Sequence, residues 1–390
     1  MGLSIFCSSE DLDGVIRSGF TLAQIHYSKS ELNDAILLFK KCVVLENKFG
    51  NTKRRLSILS ELSATLIALG NYHDAKLILD YLVKNQRGLS KSELVYIEFD
   101  SAHLNLMTGN LDEARKMIIR CADNSANIGY QVMTAAALGL RARIEEFLGN
   151  RSEAVRFCEE SIDIQMKADS KEILLDTLCD LSHFYVVTGD FENASKTLEE
   201  AKDIAEVDGH ELLIAQWNLY RIEYLHAQRY YLEARALLDE IHRIFLEKND
   251  TRMLNVVNLS MVESLIAETR YRDAHSEIDK LIARTRLDGA TVSEFQARII
   301  KTAIYTKTAN FDTARVLLET TLSNASSFNL VTFVSDADSL LNRIQTLEST
   351  LEHYTRADEM QASSPKKDVL SMDEIASYIS KAKSVLSTIE

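Results

Sequence analysis

The 390-residue chain is predicted to fold as an all-α superhelical solenoid of about eight helical hairpins. Three observations lead there. Ala35, Ala75, Ala114, Ala154, Ala194, Ala234, Ala274 and Ala314 recur at separations of 40, 39, 40, 40, 40, 40 and 40 residues, each near the start of an amphipathic stretch. Five residues before four of them stands a glycine, Gly70, Gly109, Gly149 or Gly189, and glycine ends a helix readily because it accepts the left-handed C-cap conformation without a Cβ penalty. The single proline, Pro365, lies beyond the periodic region. A fixed period of about 20 to 50 residues marks units too small to bury their own apolar faces, which must stack on their neighbours.

The fifth hairpin shows the plan. Leu178, Leu181, Ser182 and Tyr185 recur at helical spacing before Thr188-Gly189-Asp190, and Phe191, Ala194, Leu198 and Ala201 recur after it, so two amphipathic helices meet across a tight turn. Ser182 and Ala194 are small where the axes cross, since a larger side chain there would push the helices apart. Down the chain the turn position reads Ser30, Gly70, Gly109, Gly149, Gly189, Arg229, Thr269 and Ala309. The crossing position reads Ala23, Ser63, Ala102, Ala142, Ser182, Ile222, Val262 and Thr302. Both change character after the fifth hairpin, which predicts two blocks, residues 12–208 and 209–325, with a bend near 205–212.

After the array, residues 326–356 are expected to form a capping helix, read as one run from Phe328 to Tyr354 with Val334, Ala337, Leu341, Ile344, Leu347 and Leu351 along one stripe. Such a helix would hide the last apolar face. Residues 357–370 read as a polar linker. Residues 371–390 read as a tethered amphipathic helix, with Ser371 as N-cap, Glu374 completing a capping box, and Ile375, Ile379, Ala382, Leu386 and Ile389 on one face.

Composition narrows the function. No apolar run approaches the roughly 18 to 20 residues needed to span a bilayer, so no membrane insertion is expected of this soluble composition. Residues 1–10 lack a basic start, an apolar stretch and a cleavage site, which predicts a cytoplasmic or nuclear protein. The cysteines at 7, 42, 121, 158 and 179 are odd in number and form no CxxC pair, which suits a reducing compartment; Cys42, Cys121 and Cys158 read as apolar packing. A net charge of -14, from 44 Lys and Arg against 58 Asp and Glu, argues against direct nucleic-acid binding.

No P-loop, dinucleotide-binding glycines, HExxH, GxSxG or kinase set occurs, so no catalytic residue, cofactor or metal is expected, nor a small-molecule substrate. His103 and His183 occupy equivalent helix positions two repeats apart, too far to share a metal. Cys179 and His183 form an i, i+4 pair that in principle offers a thiolate and a base, but packing is expected because no third group orients them.

The inward faces of the first helices define a candidate partner groove: Arg17, Phe20, Gln24 and Tyr27, then Tyr96, Phe99 and His103, then Arg143 and Glu146, then Asp176, Cys179 and His183, then Gln216, Glu223 and His226. In the C-terminal half the same faces carry Leu219, Val256, Leu259, Glu263 and Ile299, which suit either a partner groove or tighter superhelix packing. Ser364, before Pro365-Lys366-Lys367, matches a proline-directed kinase site whose phosphorylation would alter docking of the tail.

The blocks Gly70-Asn71-Tyr72-His73-Asp74-Ala75, Gly109-Asn110-Leu111-Asp112-Glu113-Ala114, Gly149 to Ala154, and Gly189-Asp190-Phe191-Glu192-Asn193-Ala194 resemble the tetratricopeptide repeat over residues 12–322. Two departures stand out: the period is 40 residues where the common form has about 34, and the proline that usually ends the second helix is missing. In this the chain is similar to the longer repeats of kinesin light chain, the spindle-orientation adaptors, the cohesin-loader partner and subunit 5 of the anaphase-promoting complex. The resemblance implies a right-handed superhelix that presents a concave groove to a peptide, a helix or a subunit of a larger assembly. That would make the chain a non-enzymatic scaffold or adaptor with protein or peptide partners. The Lys, Asn and Arg set with which chaperone-binding members clamp a C-terminal carboxylate is absent from these faces. An alternative is a ligand-gated, peptide-sensing regulator, similar to bacterial peptide-pheromone receptors with repeats of this length. Those usually carry an N-terminal DNA-binding or effector module, whereas this array begins by about residue 12.

Overall fold

The computed structural model describes residues 11–349 except 88, 169, 170, 209, 210, 249, 329, 331–333 and 336. Residues up to Leu341 form one compact unit and Asn342–Glu390 a second. The predicted linker 357–370, the tail helix 371–390, Ser364 and Cys7 lie outside the described residues.

Sixteen helices pair as eight hairpins, and no strand occurs among the described residues. The pairs are α1 (Leu12–Ser28) with α2 (Leu32–Phe49), α3 (Thr52–Leu69) with α4 (Tyr72–Lys84), α5 (Lys91–Met107) with α6 (Leu111–Asn127), and α7 (Gln131–Phe147) with α8 (Arg151–Ala168). They continue with α9 (Lys171–Thr188) and α10 (Phe191–Asp208), α11 (Glu211–Ala227) and α12 (Tyr231–Glu247), α13 (Thr251–Ala267) and α14 (Tyr271–Asp288), and α15 (Thr291–Lys307) and α16 (Phe311–Ser327). Residues 337–349 are also helical. The stretch from Phe328 is not one uninterrupted helix, because Phe328 sits in the turn that closes α16 and donates its N–H to the Ala325 carbonyl at 3.1 Å.

Periodic side chains hold each hairpin together. All eight alanines of the second helices are fully buried, and so is the crossing position of every first helix, including the bulky Ile222 and Val262. Ser182 Oγ donates to the Ala194 carbonyl at 3.2 Å across its crossing. The turns are alike in backbone whatever their residue. Gly70 N–H donates to the Ile67 carbonyl and Asn71 N–H to the Leu66 carbonyl, at 3.0 and 2.9 Å, and the same pair of bonds recurs at Arg229 and Tyr230, 2.9 and 2.8 Å long. Ser30, Arg229, Thr269 and Ala309 therefore stand at φ of 56°, 65°, 61° and 59°, in the left-handed region that glycine fills elsewhere. The two-bond cap satisfies carbonyls that the helix end would otherwise leave unpaired.

Curvature follows from which helices touch. From α3 onward each first helix packs against the next first helix as well as its own partner, while the second helices make no comparable contact with each other. The ribbon therefore curls with its first helices inside. Five repeats on it meets itself, with α13 packed on α3 and α15 on α5. Ala290 joins the apolar cluster of Ile97, Leu104 and Met107, and Val292, Phe295, Ala325 and Leu330 join that of Val95, Leu106 and Ile118. At Gly70 an added Cβ would lie 3.7 Å from the backbone of Arg252, and at Gly109 3.3 Å from the ring of Phe328. Of the apolar residues expected in the C-terminal half, Ile299 is used in this way, packing on the second cluster, while Leu219 and Leu259 are buried against neighbouring repeats and Val256 is exposed.

The inner wall as candidate binding site

Because the first helices share one register, equivalent side chains stand about 40 residues apart and side by side on the inner wall. Three bonds of that register fasten α9 to α11. Gln216 donates to Asp176, Tyr220 donates its hydroxyl to Asp180 at 2.9 Å, and His183 Nδ1 meets Glu223 at 2.6 Å. The other ring nitrogen, Nε2, meets Glu146 of α7 at 3.0 Å. Burial works against charge on this imidazole, but Glu223 and Glu146 outweigh it and hold the pKa well above the usual histidine value. His183 is thus an imidazolium that donates to both carboxylates and ties three repeats together. Cys179, one turn away, is fully buried with its thiol pushed up by desolvation, so with both His183 nitrogens engaged the two are not an activated thiolate and base.

The remaining groove residues divide between the wall and the helix packing. Arg17 pairs with Asp13 at 2.7 Å on the exposed rim, and Tyr27 is also exposed. Phe20 packs on Phe39 with centroids 5.8 Å apart, so it belongs to the core of the first hairpins. Gln24 donates to Glu61 at 3.3 Å. Tyr96 and Tyr130 join through their hydroxyls, and Phe99 meets the edge of His103. His226 Nε2 contacts Ser264 Oγ at 2.9 Å.

His103 is neutral: burial, with Arg143 and Arg252 adding to it, pushes its pKa down to about 3. Its Nε2 is buried without a hydrogen-bond partner, as is Nε of Arg252. Arg143 stays charged, since Asp180 and Asp176 offset the burial that opposes it. Four wall residues lay outside the sequence-derived groove: Glu61, Asp100, Asp180 and Tyr220, which occupy one register position a turn away from the expected row. Arg252 was missed for a different reason, because superhelix closure brings it near Tyr72 and His103 from 180 and 149 residues away in sequence.

Elsewhere the four cysteines of the described residues are free and buried. Cys42 and Cys121 donate their thiols to the Ile16 and Val95 carbonyls, and desolvation pushes their pKa values to about 11 and about 12. His26, Glu31 and Asp34 bring ligand atoms within 4.8 Å of one another at the exposed first turn, where His26 already pairs with Glu31 at 2.5 Å. No described helix is long and apolar enough to cross a membrane.

The sequence pattern of the tetratricopeptide repeat matches residues 175–208, which is the α9–α10 hairpin. Comparison of the sequence with curated proteins gives no match. Among solved structures the fold is similar to that of a Rap protein complexed with competence and sporulation factor, at 14% identity and a TM-score of 0.57, covering 87% of this chain and 99% of that one. It is also similar to NprR in complex with its cognate peptide NprX, at 13% identity and a TM-score of 0.58, covering 85% and 98%. These likenesses are of fold: an all-helical solenoid of tetratricopeptide type in its 40-residue form.

Proposed function

We propose, from a tetratricopeptide-type array that closes on itself, that this chain is a non-enzymatic binding scaffold whose inner wall takes a peptide segment of a partner. The observation that carries the reading is a pair of polar groups on the wall whose hydrogen bonds are unmade, Nε2 of His103 and Nε of Arg252. A buried polar atom without a partner costs roughly 1 to 3 kcal/mol, and a chain segment laid along the wall could supply the missing partners. Two solved proteins of similar fold hold peptides or factors in complex, which supports the same use here. The four buried free thiols suit a reducing compartment, in keeping with a cytoplasmic or nuclear setting.

A second reading, a peptide-gated regulator, is favoured by one feature. The contacts of α13 with α3 and of α15 with α5 join segments that a ligand on the wall would touch from both sides, so binding could bias the closure. The test is selection of short peptides from a random heptapeptide library by the full chain, followed by calorimetry on those enriched. Micromolar binding weakened by Arg252→Ala is the expected result. A library that yields nothing above an unrelated helical repeat would end the peptide reading.

A further inference from the structure

One carboxylate on the inner wall has no structural explanation. Asp100, in the middle of α5, is only 8% exposed yet makes no hydrogen bond or ion pair among the described residues. Buried carboxylates are ordinarily paired, because an unpaired one carries its full desolvation cost. The side chains around it offer no cation. From α3 comes Glu61, itself in a raised-pKa carboxyl site and bonded to the neutral Gln24 of α1. From α5 itself come Tyr96 and the neutral His103, and the guanidinium groups of Arg143 and Arg252 act on His103, one turn along, but not on Asp100. The one charged group that perturbs Asp100 is Glu61, another acid. This arrangement contrasts with Asp180, which holds the same register in the fifth repeat and is capped by Tyr220. Asp100 thus stands beside a second acid, Glu61, whose donor is the amide of Gln24, and has no donor of its own among the described residues.

We propose that Asp100 and Glu61 are the subsite for a cationic group of the bound peptide, the ammonium of a lysine or of the N-terminus. The inference rests on the peptide-binding reading and adds the chemistry of one anchor. An ammonium brings three donors and a positive charge to a pair of acids that has no cation and, at Asp100, no donor. In the empty protein, burial together with Glu61 pushes the Asp100 carboxyl up to about 8, so near neutral pH the site holds a proton that an incoming cation displaces. Binding should then release a proton.

The experiment uses the full chain and heptapeptides selected as binders, each made with lysine, norleucine or glutamate at one position and with a free or acetylated N-terminus. Calorimetry in two buffers of different ionisation enthalpy reads affinity and proton release together. The expected result is at least a tenfold preference for the cationic form, net proton release near pH 7, and loss of both in Asp100→Asn and Glu61→Gln. Sensitivity to norleucine assigns the lysine side chain, and sensitivity to acetylation assigns the N-terminus. At pH 9, above the Asp100 value of about 8, Asp100→Asn should also raise the melting temperature, because there it removes a buried charge without removing any bond. Binding that ignores peptide charge would overturn the subsite while leaving the peptide reading intact; no binding by any peptide would remove both. A melting temperature lowered by Asp100→Asn would show a structural partner and overturn the proposal. So would stabilisation by calcium alone that the variant abolishes, which would make the pair a metal site.

Discussion

At the scale of single residues, the turns show how far local sequence reaches. Gly70, Gly109, Gly149 and Gly189 marked the helix ends from sequence, whereas Arg229, Thr269 and Ala309 pointed to two blocks with a bend between them. The backbone is the same in all of them, because the two-bond cap and the packing of neighbouring repeats impose a left-handed residue whatever its identity. Thr269 shows the cost best, since a β-branched residue at φ 61° clashes with its own backbone. Relief of about 1 to 2 kcal/mol, partly offset by the extra freedom of glycine in the unfolded chain, predicts that Thr269→Gly stabilises by about 0.5 to 1 kcal/mol. Urea denaturation checks this, and no gain would mean that the threonine is unstrained. The candidate site was less legible than the turn. Tyr96, His103, Arg143 and His183 could be placed on the inward row from helical spacing; Asp100, four residues after Tyr96 and three before His103, shares that face, but whether it and Glu61 find partners depends on how closely adjacent first helices approach. Sequence spacing alone does not specify that distance.

At the scale of elements, the junction between α9 and α11 matters most. The sequence changes there predict a bend near 205–212, and three register bonds, at Asp176, Asp180 and His183, cross the junction. His183→Gln would leave Glu146 partly buried beside an amide in place of a cation, which predicts a loss of about 2 to 3 kcal/mol. The pH dependence has a definite sign. A folded pKa raised above the unfolded value near 6.5 gives stability that is full below that pH and is lost as pH rises through the folded value. Wild type should therefore lose stability between pH 6.5 and 9 by more than His183→Gln does. Asp100 adds a loss of the same direction between about pH 4 and 8, in both proteins. His103, held neutral with a pKa near 3, works the opposite way, since its stability is present above about 6.5 and lost in acid. Denaturation curves at pH 6 and pH 9 separate the terms, and equal slopes in the two proteins would mean that His183 is not a charged clamp.

At the scale of the whole molecule, closure decides how the array behaves. An open solenoid is held by nearest-neighbour contacts alone and can unravel from its ends. Here the turns of the second and third repeats meet the seventh and eighth, so fraying of α15 must also break the apolar cluster around Val95 and Leu106. Nothing in one repeat announces this, because the contacts depend on the pitch accumulated over five repeats. Gly109 and Gly189 isolate the effect. Both have positive φ, 85° and 79°, so an alanine strains the backbone alike, but only at Gly109 does the new Cβ press on Phe328. Gly109→Ala should therefore be more destabilising than Gly189→Ala by about 1 kcal/mol or more, and hydrogen exchange should show weaker protection in α15 as well as in α5. Trp217, the one tryptophan of the chain, is buried in the sixth repeat with its indole bonded to the Leu198 carbonyl at 2.9 Å, and so reports locally on the array. In wild type its fluorescence and the far-ultraviolet circular dichroism should follow a single urea transition, because closure couples the ends. In Gly109→Ala the two should separate as the terminal repeats unfold first. Separate transitions already in the wild type would mean that the array unfolds repeat by repeat and that contacts between successive turns contribute little to its cooperativity.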